Sequence, residues 1–200
     1  MIIRYNTSRY DFLGWAQEAL ACEDLPSLHE YVECWPNVSL ADIMAAYRSE
    51  MGRHFDSCQN IFEQFLKQEI EPRLGPLVSY QIPPIFRVHF HGFGTVSPFH
   101  CDRNFNANPD SEVLLRNRNV WVPLTKVWGN NSLWIESKVG KGDFIPIELQ
   151  YGEVLIFDGM MLCHGSKAND TGSTRVSFES RVLPHRNYRS SSELELCRVS

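Results

Sequence analysis

Residues 152–182, GEVLIFDGMMLCHGSKANDTGSTRVSFESRV, place two apolar runs on either side of a polar turn. GEVLIFDG and TRVSFESRV are short, rich in Val, Leu, Ile and Phe, and bounded by Gly, Asp and Ser, which is the pattern of strands closed by turns. Between them His164 sits among apolar residues, just before a turn of Gly165, Ser166, Asn169, Asp170 and Gly172. A lone histidine in such a place is more often a core residue with one hydrogen bond. The following strand changes the weighing. Residues two apart on a strand share a face, so Arg175 and Ser177 point the same way. A planar guanidinium donates two parallel hydrogen bonds and a neighbouring hydroxyl adds another, which makes a fork for a carboxylate. An inward arginine without an anion is costly to bury, so the spacing implies a carboxylate ligand.

Upstream, SPFHCDRNF at residues 97–105 sets His100 and Asp102 two apart, side by side on an extended strand, with Cys101 pointing the opposite way. Taken alone, His-x-Asp is ordinary surface decoration; it becomes half of a metal site only with a third partner, for which His164 is the candidate. Between these stretches lie further short apolar runs: PPIFRVHFHGFG, NVWVPLTKVWGNN, SLWIES and GDFIPIEL. Together they read as antiparallel β structure from residue 81 to 184. Residues 1–80 have a helical texture. DFLGWAQEALAC spaces Phe12, Trp15, Ala16 and Ala19 by three and four; SLADIMAAYRSEM starts from a capping serine; FDSCQNIFEQFLKQEIEPRLG carries Phe55, Ile61, Phe62 and Phe65 and is expected to stop at Pro72 and Gly75. Residues 185–200, with RSSSE, read as a polar, mobile tail. Helices first and strands second, without alternation, argue against a parallel βαβ sheet and for a jelly roll or sandwich with helices outside it.

The 200 residues fit one domain, and 43 % hydrophobic with 22 % charged residues is globular. A formal charge of −5 offers no field for a phosphate backbone, so no nucleic-acid partner is expected. The first 20 residues carry charges throughout and no later run approaches a membrane span, so the expectation is a soluble, cytoplasmic protein without a membrane partner. Six cysteines, at 22, 34, 58, 101, 163 and 197, show no C-x-x-C spacing and read as reduced structural thiols.

The ordered set SPFHCD, NVWVPLT, NNSLWIES and YGEVLIFDGMMLCHGSKANDTGSTRVSFESRV, spanning roughly residues 83 to 184, resembles the Fe(II)/2-oxoglutarate-dependent oxygenases, nearest in texture to their phytanoyl-CoA-hydroxylase-like and StrG-type biosynthetic members. The resemblance implies a mainly β fold with flanking α: a double-stranded β-helix (a cupin-like jelly roll) with N-terminal helices packed on the barrel. It implies that His100, Asp102 and His164 form a 2-His-1-carboxylate facial triad for Fe(II), and that Arg175 and Ser177 hold the distal carboxylate of 2-oxoglutarate. Such a triad leaves open positions on an octahedral iron, to be used by 2-oxoglutarate and O2. The activity implied is a dioxygenase reaction, hydroxylation above all, on a small molecule of specialised biosynthesis. A zinc hydrolase would have no use for the carboxylate fork, and Asp102 counts against a halogenase.

Further candidates are weighed by position. Asn119 and Trp121 share a strand face; Asn119 is a candidate for the oxo acid or substrate, and Trp121 for substrate or core. His89 and His91 lie on one face of a strand with no following glutamate to complete a cupin motif, and His91 is taken as substrate-lining. The long polar segment 103–118 reads as a substrate cover in which Arg103, Arg116 or Arg118 meets an anionic group, or else as a solvated loop. The competing functions are a non-catalytic metal- or small-molecule-binding jelly-roll protein and a protein-modifying oxygenase. Substrate, reaction outcome, pathway and oligomeric state are left open.

Overall fold

The computed structural model describes residues 1–32, 38–185, 193, 194, 196, 198 and 199; Cys34 and Cys197 lie outside the described residues. The helices form where the apolar spacing places them. Helix α1, Phe12–Leu20, buries Phe12, Trp15, Ala16, Ala19 and Leu20. Helix α2, Leu40–Arg53, starts from a capping box in which Ser39 and Asp42 each satisfy the other's backbone N–H. Helix α3, Phe55–Phe65, buries Phe55, Cys58, Phe62 and Phe65. It does not stop at Pro72. A π turn over Leu66–Ile70 leads into a last turn, Glu71–Leu74, which has Pro72 at its start. The first turn of a helix needs no N–H partner there, so the proline is tolerated, and Gly75, with φ of 81°, ends the run.

The strands form two sheets. The larger has seven: β1 (Ile2–Arg4), β2 (Leu77–Tyr80), β3 (Ile85–His89), β4 (Arg118–Pro123), β7 (Glu153–Phe157), β9 (Arg175–Pro184) and β10 (Arg198–Val199). Their order is β10-β1-β7-β4-β9-β2, with β3 also paired to β9. The smaller sheet sets β5 (Trp134–Ile135) between β6 (Ile145–Pro146) and β8 (His164–Gly165). All pairings are antiparallel except β1 with β10. Among the described residues no ladder joins the two sheets, so no barrel is closed. No described helix is long and apolar enough to cross a membrane.

Two elements depart from the sequence reading. The N-terminal segment supplies β1, locked by Met1 and Ile156 exchanging backbone hydrogen bonds, and the expected tail supplies β10. Strands of three and two residues show no period of their own; a partner distant in sequence creates them.

Strand β9 sorts the interior. Val176, Phe178 and Val182 point to the helices, joining Val120, Val122, Val154, Ile156, Phe86 and Val88 in one core with Phe12, Phe55, Phe62 and Phe65. The opposite face carries Arg175, Ser177, Glu179 and Arg181. There Ile2, Trp121, Leu155 and Phe157 of the large sheet pack with Leu133, Ile135, Ile147, Leu149 and Leu162 in a second, smaller core. Phe178 is the keystone of the helix side, edge-on to Phe12 at 5.1 Å and Phe62 at 6.0 Å between ring centroids. Replacing Phe178 by Ala should cost about 3–5 kcal/mol of folding stability, the usual penalty for an aromatic removed from a close-packed core, read from the shift of the urea midpoint. A loss under 1 kcal/mol would mean that the helices do not depend on this contact.

Candidate metal centre and active site

His100 and His164 meet as an isolated antiparallel bridge. The His100 N–H donates to the His164 carbonyl at 2.9 Å and the His164 N–H to the His100 carbonyl at 2.8 Å, leaving the rings 4.6 Å apart. The next pair outward, Cys101 and Cys163, occupies a position without mutual hydrogen bonds, where antiparallel strands come closest. Their Cα atoms are 4.3 Å apart and their sulfurs form a disulfide. The expectation of reduced thiols is thus corrected for this pair, because strand register brings together two residues 62 apart in sequence; Cys22 and Cys58 remain free. The chain is not extended through Asp102, as the His-x-Asp spacing assumed. It enters a 3-10 turn, Asp102–Phe105, anchored by the Asp102 N–H on the Gly159 carbonyl at 2.9 Å. Asp102 Oδ1 still lies 3.5 Å from His100 Nε2, and one donor atom from each of His100, Asp102 and His164 falls within 4.8 Å of the others.

The imidazoles are oriented by backbone. His100 Nδ1 contacts the Pro98 carbonyl at 2.7 Å and His164 Nδ1 the Leu162 carbonyl at 3.0 Å. A carbonyl can only accept, so both Nδ1 atoms carry hydrogen, and the Nε2 atom of each ring is the one that, when unprotonated, offers a lone pair to a metal. Asp102 has its side chain 1 % exposed. Burial opposes its charge, but hydrogen bonds from His100 and Arg181, the nearby His164 ring and the Asn119 amide hold its carboxyl well below the usual range. Arg181 donates from Nη2 to Oδ1 at 2.7 Å and from Nε to Oδ2 at 3.0 Å; Asn119 Nδ2 donates to Oδ2 at 2.9 Å and to Glu179 Oε1 at 3.0 Å. The bond to Asp102 raises the pKa of His100, against its burial.

Farther along β9, Arg175 is fully buried. Its Nη1 donates to the Asn131 carbonyl at 3.0 Å, while its Nε, the Ser177 hydroxyl and Asn131 Nδ2 have no hydrogen-bond partner. Burial pushes the Arg175 guanidinium down to about 9, with Arg87 adding and Glu179 opposing. His89, opposite Arg175 in register, is pushed down to about 4 by burial and then by Arg175, so it is neutral at pH 7. Buried donors left unpaired cost roughly 1–3 kcal/mol each, and an oxyanion placed among them would remove that cost. The donor set therefore fits both a divalent metal at the triad and a carboxylate at Arg175 and Ser177.

The cavity between the sheets is lined by His100, Asp102, His164, Trp121, Arg175, Arg87, Glu179 and Arg181, with Ile85, Ser97 and Leu133. Asn119 lies beneath Asp102. The structure does not bring the remaining candidates here. Arg103 rests near the Met161 sulfur at 3.8 Å, and Arg116 donates to the His185 carbonyl. Arg118 is buried on the other face of β4, 3.6 Å from Asp158, because its neighbour Asn119 takes the inward position. His91 accepts from the Gly172 N–H and packs on the His29 ring, since the chain turns after His89. Arg87, Glu179 and Arg181 were missed. The signal was present: the alternation that links Arg175 to Ser177 continues through Glu179 to Arg181.

Gly165 permits the bridge, because a Cβ there would sit 2.8 Å from Phe99 Cα, a backbone atom that cannot swing aside. Gly165→Ala should part the His100 and His164 strands and weaken nickel(II) binding at least tenfold in a calorimetric titration. Unchanged affinity would show that the bridge does not set the ligand spacing.

No family model matches the chain. The streptomycin biosynthesis protein StrG of Streptomyces griseus is 32 % identical over 193 residues, covering 93 % of this chain and 85 % of that protein. HygX from Streptomyces hygroscopicus, solved with nickel and 2-oxoglutarate bound, shares the fold with a TM-score of 0.52 over 95 % of this chain and 83 % of its own, at 9 % identity. By its 32 % identity over nearly its whole length, the chain belongs to the same family as the streptomycin biosynthesis protein StrG.

Proposed function

We propose that this enzyme hydroxylates a small molecule in a biosynthetic pathway, with Fe(II) held by His100, Asp102 and His164 and 2-oxoglutarate anchored by Arg175 and Ser177. The observation that carries the reading is the pair of buried, unpartnered donors, Arg175 Nε and Ser177 Oγ, on the strand face that also borders the three metal-donor side chains. A structural metal site would not require them. Two largely antiparallel sheets, with helices packed on the larger one, support the double-stranded β-helix reading of the fold.

Bound at the triad, Fe(II) with 2-oxoglutarate and O2 supplies the oxidation of a substrate C–H bond. The protein's part is placement. The Pro98 and Leu162 carbonyls fix the imidazoles, Arg181 and Asn119 keep Asp102 ionised and oriented, and His100, Asp102 and His164 would together hold the metal through donor atoms that lie within 4.8 Å of one another. Trp121, Ile85 and Leu133 wall the cavity with apolar surface that excludes water from the reacting group.

His164→Ala should lower iron-dependent release of succinate from 2-oxoglutarate at least a hundredfold while leaving the far-ultraviolet circular dichroism unchanged. Arg175→Lys keeps the charge but loses the fork. With a charge-assisted bond worth about 1.5–3 kcal/mol, its 2-oxoglutarate affinity should fall roughly ten- to a hundredfold while nickel(II) still binds. An affinity equal to the wild type would move the carboxylate site elsewhere.

A further inference from the structure

The polar lining of the cavity is unbalanced. Three guanidiniums, Arg87, Arg175 and Arg181, face two carboxylates, Asp102 and Glu179. Arg181 is committed to Asp102 by two hydrogen bonds. Arg175 is committed to the cosubstrate on the oxygenase reading, and a divalent metal together with a 2-oxoglutarate dianion adds no net charge. The excess positive charge stays in the cavity of a protein whose overall formal charge is −5.

Arg87 is the cation with no assigned counterpart. It pairs in register with Ser177 across the β3–β9 ladder, so its side chain leaves the sheet on the same face as the carboxylate fork. Its hydrogen bond among the described residues is from Nη1 to the Phe86 carbonyl at 3.3 Å. None of the described ion pairs includes it. Burial lowers the guanidinium's pKa; Glu179 opposes this, while Arg48 of α2 and Arg181 add to it. A partly desolvated cation among like charges is stabilised by an incoming anion, and a guanidinium takes carboxylates and phosphates alike through two parallel N–H donors.

We propose that Arg87 anchors an anionic group of the substrate, a carboxylate or a phosphate, beside the metal. The proposal rests on the oxygenase reading of the site. Glu179, opposite Ile85 and Trp121 in the ladders, repels additional negative charge and so favours a substrate carrying a single anionic group at this end.

The test uses full-length protein loaded with nickel(II) and saturating 2-oxoglutarate at constant ionic strength, titrated with inorganic phosphate in one arm and acetate in the other. Tryptophan fluorescence follows binding, since Trp121 lines the cavity. The expected result is saturable binding of one probe, with the preferred arm telling phosphate from carboxylate. Arg87→Gln should weaken that binding tenfold or more, Arg87→Lys should retain part of it, and Glu179→Gln should tighten it severalfold. Equal affinity in wild type and Arg87→Gln, or saturable binding of neither probe by the wild type, overturns the proposal. So does a parallel loss of 2-oxoglutarate affinity in Arg87→Gln, which would assign Arg87 to the cosubstrate fork. Failure of the wild type to bind nickel(II) or 2-oxoglutarate at all is a different result and overturns the oxygenase reading together with the proposal.

Discussion

Two backbone hydrogen bonds between His100 and His164 hold the site together. They bring residues 64 positions apart into register, and once that register is set the side chains follow from strand alternation. The histidines turn to the cavity, and their neighbours Cys101 and Cys163 turn away and join. Gly165 makes the approach possible, since any side chain there meets the Phe99 backbone. Buried Glu136 reinforces it from behind, accepting the Cys163 N–H at 2.7 Å and the Gly142 N–H at 3.2 Å.

The cavity is costly to fold. It holds two carboxylates and three guanidiniums, and around the buried Arg175 three donor groups have no hydrogen-bond partner. Each such group opposes folding by an amount comparable to a lost hydrogen bond. The opposite face of the same strands supplies the compensation. Phe12, Phe55, Phe62, Phe65, Phe86 and Phe178 pack edge to face there, each burying apolar area worth about 1.5–3 kcal/mol. One sheet thus separates stabilising apolar packing from charged chemistry, and a strand with period two does both at once.

Charge compensation around Asp102 links folding to activity. In the protein alone the buried carboxylate is neutralised by Arg181 and steadied by Asn119, which also touches Glu179. Gly159 leaves room for that amide, since a Cβ there would come 2.5 Å from Asn119 Oδ1, and its carbonyl takes the Asp102 N–H. The carboxylate is therefore held ionised and directed by the protein's own side chains.

Much of this was legible in the sequence. Three-and-four spacing marked α1 and α3, a capping serine marked α2, and spacing by two picked out His100, Asp102 and Arg175, which line one cavity, because local periodicity determines which side chains share a face. Contacts between residues distant in sequence were not legible. The short strands β1, β8 and β10 exist only through their partners, the Cys101–Cys163 disulfide through a register, and Arg181 on Asp102 through a crossing of β9 beneath a turn that begins at Asp102. Arg118 and Asn119 show the boundary most plainly. Sequence placed both near the site, but adjacent residues on a strand face opposite ways, and only the pairing of β4 with β9 decided that Asn119 meets Asp102 while Arg118 is buried beside Asp158.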